Sequence, residues 1–243
     1  MKATLALART EVLRLSRNKR YLIFSIALPV MLYLVFGKQA SATAYGVQFK
    51  AFYMVGMASV GAFSGALTGN AQRISQERKD GWIRQLRLTA LPPGSYVVAK
   101  IIASMVTTVP SIIAVLALGH FYGGVQLAAW KWLAIGAAIW LGTMTFAALA
   151  VAIGYRFMPD TVQPVTMFVY FLMSILGGLW FQLSNGILRK IGQVLPTYQV
   201  TRIGTDVIAS GTVSMTSILT ILAWLASFIA LAVLAVRHTA ETI

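Results

Sequence analysis

The sequence predicts an all-α integral membrane protein. It should have six transmembrane helices, an N-terminal interfacial helix, a cytoplasmic helix between spans two and three, and a re-entrant outer hairpin between spans five and six. Three observations lead there. The 243 residues are 58% hydrophobic and only 11% charged, where soluble domains carry about 25% charged residues. Six apolar runs approach the roughly 20 residues needed to cross the hydrocarbon core. The basic residues fall unevenly between those runs. The whole chain, residues 1–243, reads as one membrane domain.

The first element covers residues 1–19. Leu5, Ala8, Val12 and Leu15 share one helical face, and Thr10, Arg14 and Arg17 lie opposite. Leu7 and Leu13 blur the pattern. The segment reads as a helix in the membrane interface, with basic residues meeting anionic headgroups. The alternative is a solvated basic flank that only fixes topology. The stretch from Met1 to Arg20 is too long and charged for the start of a cleaved signal peptide. Ala40-Ser41-Ala42 does match a cleavage pattern, but the first apolar run is taken as a retained span.

The runs are about Tyr21 to Gly37, Ala51 to Gly69, Ile101 to Tyr122, Trp132 to Gly154, Thr161 to Phe181, and Ser217 to Val236. Backbone groups lack water partners in lipid, so each must be helical. Pro29, Pro110 and Pro164 fall inside runs and are candidate kinks. With the N-terminus inside, the inner segments hold 14 of the 20 basic residues and the outer ones 6. That bias places both termini in the cytoplasm of a cell whose plasma membrane the chain spans.

Two connecting segments carry structure. The inner loop, residues 73–94, reads QERKDGWIRQLRLTALPPG at its centre. Gln76 to Thr89 favours helix, interrupted by Gly81 and stopped by Pro92 and Pro93. Trp82 and Leu86 are four apart and share a face near Arg78 and Lys79. An exposed Trp beside basic residues suits a docking surface; a solvated topology-setting loop is the other reading. The outer segment, residues 182–216, repeats apolar residues at helical spacing. Ile187, Leu188, Ile191, Val194 and Leu195 precede Pro196, and Val200, Ile203, Val207 and Ile208 follow. These pieces are too short to span. They form two half-helices dipping into the membrane, or two helices lying flat on it.

The chemistry of the chain is spare. Glu11, Glu77, Asp80, Asp160, Asp206 and Glu241 fall in loops, interfacial segments or tails, and His120 sits at the outer end of span three. No acidic or histidine relay stands at membrane depth, as ion-coupled carriers need. Cysteine is absent, so no disulfide or thiolate metal site exists. No catalytic constellation and no GxxxxGK[ST] motif are present, so an energy source for transport would lie on another polypeptide. Gly61, Gly65 and Gly69 form a small-residue stripe for packing within the chain or between two copies. Tyr33, Phe52, Phe63, Trp140, Phe168, Tyr170 and Trp180 could line a path for an amphipathic substrate, or could face lipid.

Two motifs then resemble the membrane subunits of ABC type-2 exporters. One is Glu77-Arg78-Lys79-Asp80-Gly81-Trp82 with Gln85-Leu86, Thr89 and Pro92. The other is Gly177-Gly178-Leu179-Trp180-Phe181 with Leu195-Pro196-Thr197. Gln182 stands where that family often has proline. The resemblance implies that residues 1–19 are a connecting helix. It makes Gln76 to Leu88 a coupling helix resting on a separate ATP-binding-cassette subunit. Glu77, Arg78, Asp80, Gly81, Trp82 and Leu86 are the implied contact, and Arg156, Pro159 and Asp160 a smaller second one. Gly177, Gly178 and Pro196 would shape the re-entrant segment. ATP and Mg would bind the partner, with no cofactor or catalytic residue in this chain. Two permease chains, identical or related, would pair around the path. The expected function is ATP-driven export of a hydrophobic or amphipathic compound such as a drug or lipid. A non-transporting assembly module and a passive channel are the alternatives, and a channel should show polar pore rings that the spans lack.

Overall fold

Apolar stretches that cannot bond water close their hydrogen bonds internally. The computed structural model accordingly is helical nearly throughout; it describes residues 2–17, 19–37, 43–88, 93–183 and 186–241. The helices are α1 (Lys2–Ser16), α2 (Lys19–Phe36), α3 (Phe49–Ser64), α4 (Asn70–Lys79), α5 (Trp82–Arg87), α6 (Pro93–Phe121) and α7 (Ala129–Arg156). They continue as α8 (Pro159–Leu176), α9 (Ile187–Val194), α10 (Pro196–Ala209) and α11 (Met215–Glu241). Pro29, Pro110 and Pro164 lie inside helices that run through them.

Among the described residues, four helices are long and apolar enough to cross a membrane: Phe49–Lys79, Gly94–Phe121, Ala129–Arg156 and Met215–Val236. The remaining two expected spans correspond to α2 and α8, each 18 residues. An 18-residue helix is about 27 Å long. Expected span two is longer than its apolar run. A π-helical turn, Gly65–Gly69, joins α3 to α4, and the helix continues to Lys79. Residues 73–79 therefore continue the helix of span two rather than starting a separate element.

This long helix is the hub, with α2, α6, α7, α8 and α10 packed around it. Small residues make the close approaches. A Cβ on Gly61 would meet Pro29 of α2 at 2.8 Å, one on Gly154 would meet Ile74 at 2.8 Å, and one on Gly142 would meet Val200 at 2.7 Å. Without a hydrophobic drive between helices in lipid, such backbone proximity supplies the packing. Gly61 thus serves packing within the chain. Tyr33, Met54, Phe63, Phe146 and Leu179 fill the core.

At the far end a two-stranded hairpin, β1 (Thr43–Ala44) and β2 (Val47–Gln48), precedes α3. Its turn residues Tyr45 and Gly46 both have positive φ, 50° and 79°, as a two-residue primed turn requires. The apolar repeats of residues 182–216 do form two helices divided at Pro196, and they differ in setting. In α9, Ile187, Leu188, Ile191 and Val194 are exposed. In α10, Val200, Ile203 and Val207 are buried among α3, α7 and α11.

Candidate functional site: the charged end of the bundle

Gly81 sets the local geometry. Its φ of 76° is left-handed backbone that glycine adopts freely. The chain turns sharply there, ending the long helix at Lys79 and starting α5 at Trp82. Gln76 donates a 2.9 Å hydrogen bond to Asp80 across the last turn. On α5, Ile83 and Leu86 pack inward against a small cluster with Ile74, Tyr96, Val151 and Tyr155. Trp82 faces out at 41% exposure. The expected single helix from Gln76 is in fact the end of span two and a separate short helix. Thr89 and Pro92 of the motif lie outside the described residues.

Beneath α5 three helices are tied by charge. Lys100 on α6 is 1% exposed and donates to Glu77 on α4 at 2.7 Å and to Glu11 on α1 at 2.8 Å. Arg14 on α1 donates to the same Glu77 oxygen at 3.0 Å, and the Tyr96 hydroxyl donates to its other oxygen at 2.6 Å. Thr4 bonds Ser95 at 3.0 Å alongside. Each carboxylate has a cation and each cation a carboxylate, which is the condition for burying ions at tolerable cost.

The α7–α8 turn is tied to the same end of α4. Arg78 donates to the carbonyls of Tyr155 and Phe157, the latter at 2.7 Å. Ser75 donates to Phe157 at 2.8 Å and Gln72 to Pro159 at 3.2 Å. The end of α4 thus holds both α1 and the α7–α8 turn.

These contacts redistribute the expected surface. Glu77, expected at a contact face, is 4% exposed and saturated from within the chain. Arg78 is half-buried and engaged with carbonyls. Trp82, Asp80, Arg156, Asp160 and Met158 remain exposed around the α5 end, while Pro159 is buried and Leu86 half-buried. Three important residues escaped the sequence reading: Lys100, Glu11 and Tyr96. The available signal was scarcity. The chain has only six acids against twenty cations, so an acid in the N-terminal segment and a lysine opening an apolar run were candidates for pairing.

The seven path candidates are not brought together. Tyr33, Phe52, Phe63 and Tyr170 are buried in the core. Tyr33 donates to the Lys50 carbonyl at 3.2 Å and Tyr170 to the Val60 carbonyl at 3.1 Å, while Phe63 stacks on Phe146 at 4.4 Å. Trp140 and Phe168 are on the outside, and half-buried Trp180 donates to Ser174 at 3.1 Å. Gly178 turns the chain after α8 with φ 68°, and Gly177 lets Thr197 beside Pro196 come close enough to donate to Met173 at 2.6 Å.

Comparison with known proteins bears on this arrangement. The family model described as "ABC-2 family transporter protein" matches residues 36–237. A relative from Bacillus subtilis (strain 168), named "Putative transport permease YvfS", is 27% identical over 224 residues, which is 91% of each chain.

Proposed function

The chain belongs to the ABC-2 family of transporter proteins and is a multi-pass membrane subunit of an ABC transporter; from that premise we propose that it is an exporter subunit driven through α5 by a separate ATP-binding subunit. The observation that carries this reading is that α5, with Trp82 exposed, packs through Ile83 and Leu86 on a cluster that includes Tyr96, whose hydroxyl bonds Glu77 of the Glu77, Lys100 and Glu11 charge cluster. A push on α5 reaches the end of the long helix directly. Because Lys100 bridges both acids, α1, α4 and α6 move together. The π turn at Gly65–Gly69 is where that movement meets the membrane core, as such turns commonly mark functional breaks. ATP closure on the partner then shifts the permease between inward and outward states.

The same proposal includes six spans, with α2 and α8 completing the four long ones, and both termini in the cytoplasm. It includes a dimer of permease chains, a re-entrant α9–α10 hairpin and an apolar or amphipathic cargo. The scarcity of charge along the spans favours that cargo.

The test is recovery of the tagged chain from its native membrane in mild detergent, with mass spectrometry of what accompanies it. The expected result is an ATP-binding subunit with a P-loop, reduced by Trp82→Ala. Recovery of Trp82→Ala with an undiminished ATPase would remove α5 from the coupling. Recovery of no ATPase with the unmodified chain would favour a stand-alone membrane module.

A further inference from the structure

The end of the molecule opposite the charge cluster holds a polar cavity of about 330 Å³. Its walls include Tyr45 of the hairpin, Arg189 of α9, and Tyr198, Arg202, Thr205 and Asp206 of α10, with the Gly177–Gly178 turn as its floor. Its depth can be fixed along α8. That helix starts at Pro159, beside Gln72 and the charged end, and ends 18 residues later at the glycine turn. About 27 Å of helix separates the two, close to the roughly 30 Å thickness of a hydrocarbon core. The cavity therefore sits at the level of headgroups.

Its charge is cationic. Two guanidinium groups face one carboxylate, and the Arg202–Asp206 pair is loose at 3.6 Å with both side chains partly exposed. The Arg189 guanidinium lies 5.9 Å from the centre of the Tyr45 ring. The Tyr45 hydroxyl accepts the Leu183 N–H at 3.0 Å, which leaves its own hydrogen to give. Burial raises that phenol above its ordinary value, so the hydrogen stays. By contrast the Thr205 hydroxyl spends its hydrogen on the Arg202 carbonyl at 2.9 Å. The forked donors of arginine suit the oxygens of a phosphate.

The neighbouring helix supplies the other half. On α9 the residues Ile187, Leu188, Ile191 and Val194 are exposed, an apolar face for the acyl boundary beside a cavity at headgroup depth. We infer that this cavity binds the phosphate headgroup of an anionic phospholipid, held by Arg189, Arg202 and the Tyr45 hydroxyl, with its acyl chains along the exposed face of α9. The depth of the site rests on the proposed crossing of the membrane by α8; binding itself needs neither ATP nor a partner subunit.

The test reconstitutes the full chain in phosphatidylcholine nanodiscs containing a small fraction of photoactivatable phosphatidylglycerol, and maps crosslinks by mass spectrometry. Crosslinks should concentrate on the α9–α10 peptides. Arg189→Gln with Arg202→Gln should lower them about tenfold or more, at about 1 kcal/mol per basic residue near a charged surface. Arg189→Lys with Arg202→Lys should retain most of them. Arg202→Gln alone removes only a loose exposed pair of little stabilising value, so it keeps the fold and should still show a clear reduction. Crosslinks to α11 serve as the internal reference. Equal labelling by photoactivatable phosphatidylcholine, or labelling unchanged in the double glutamine variant, would overturn the inference. Displacement of the lipid by millimolar glycerol phosphate as readily as by phosphatidylglycerol would make the site one for a soluble phosphate instead.

Discussion

Two spanning helices of this chain live in opposite surroundings. Of the apolar stretch in Phe49–Lys79, 89% is buried inside the protein; of that in Met215–Val236, 11% is. The buried helix is the one broken by Gly56, Gly61, Gly65 and Gly69 and ending in charge. The exposed one is rich in Ile, Leu, Ala and Val and holds no glycine and no charge up to Val236. In water the more apolar helix would be the core. In lipid a large apolar side chain needs no protein partner, while small and polar residues gain only against other protein. Burial here follows small and polar content, and the difference between the two helices is what variants can break or sharpen.

The largest effect should come where the buried helix ends. Lys100→Met leaves Glu11 and Glu77 buried without their shared cation, and breaking a buried pair from one side costs about 3–5 kcal/mol. A large drop in the thermal unfolding midpoint in detergent is expected. Combining it with Glu11→Gln and Glu77→Gln should restore much of the loss, because no uncompensated buried charge remains and Arg14 is largely exposed. An unchanged midpoint in the single variant would mean that the three helices are held by packing alone.

Next comes the packing of the same helix at membrane depth. A Cβ at Gly56 would strike the Leu179 carbonyl, and overfilling a packed site costs about 2 kcal/mol. Gly56→Leu should lower the unfolding midpoint clearly, although it makes the helix more apolar. A neutral result would show that α3 can move away from the glycine turn after α8.

Trp82→Ala should be smaller still for the fold and visible only in assembly. The ring is 41% exposed, so the midpoint should barely change. Loss of an exposed aromatic anchor should weaken binding of the ATP-binding subunit by about 2 kcal/mol, read as reduced co-purification. Equal losses in stability and assembly would place Trp82 among the packing residues.

The contrast also explains what the sequence could and could not convey. Apolar run length marked where α2, α3, α6, α7, α8 and α11 would form, because lipid compels helix wherever water is absent. Pro196 and the spacing around it marked α9 and α10. Run length failed at the end of span two, since Arg73 to Lys79 are too polar to read as an apolar run yet remain helical, held through Ser75 and Arg78 by the Phe157 and Tyr155 carbonyls. The hairpin at Thr43–Gln48 is four paired residues with no alternating pattern to announce it. At the candidate site, Gly81 and Trp82 were legible from residue type alone. The inward turn of Glu77 was not, because it depends on Lys100, 23 positions away, and on Glu11, 89 positions from that lysine. Pairing across such separations is a property of packing, which one sequence read by local pattern does not carry.

The smallest effect is expected on the last span, and it tests the comparison from its other side. Leu219 and Leu222 are exposed on α11, which buries Phe228 and Ala232 and packs on α7 and α10. If that outer face meets only acyl chains, Leu219→Ala with Leu222→Ala changes one apolar surface for a slightly smaller one in an apolar solvent. The unfolding midpoint should stay within about 0.5 kcal/mol of the parent, and the mass of the detergent-solubilised particle should not change. A smaller particle would show that α11 is covered by a second copy of the chain. The 11% burial would then describe an interface waiting for its partner, and the two helices would differ in which protein surrounds them rather than in whether protein does.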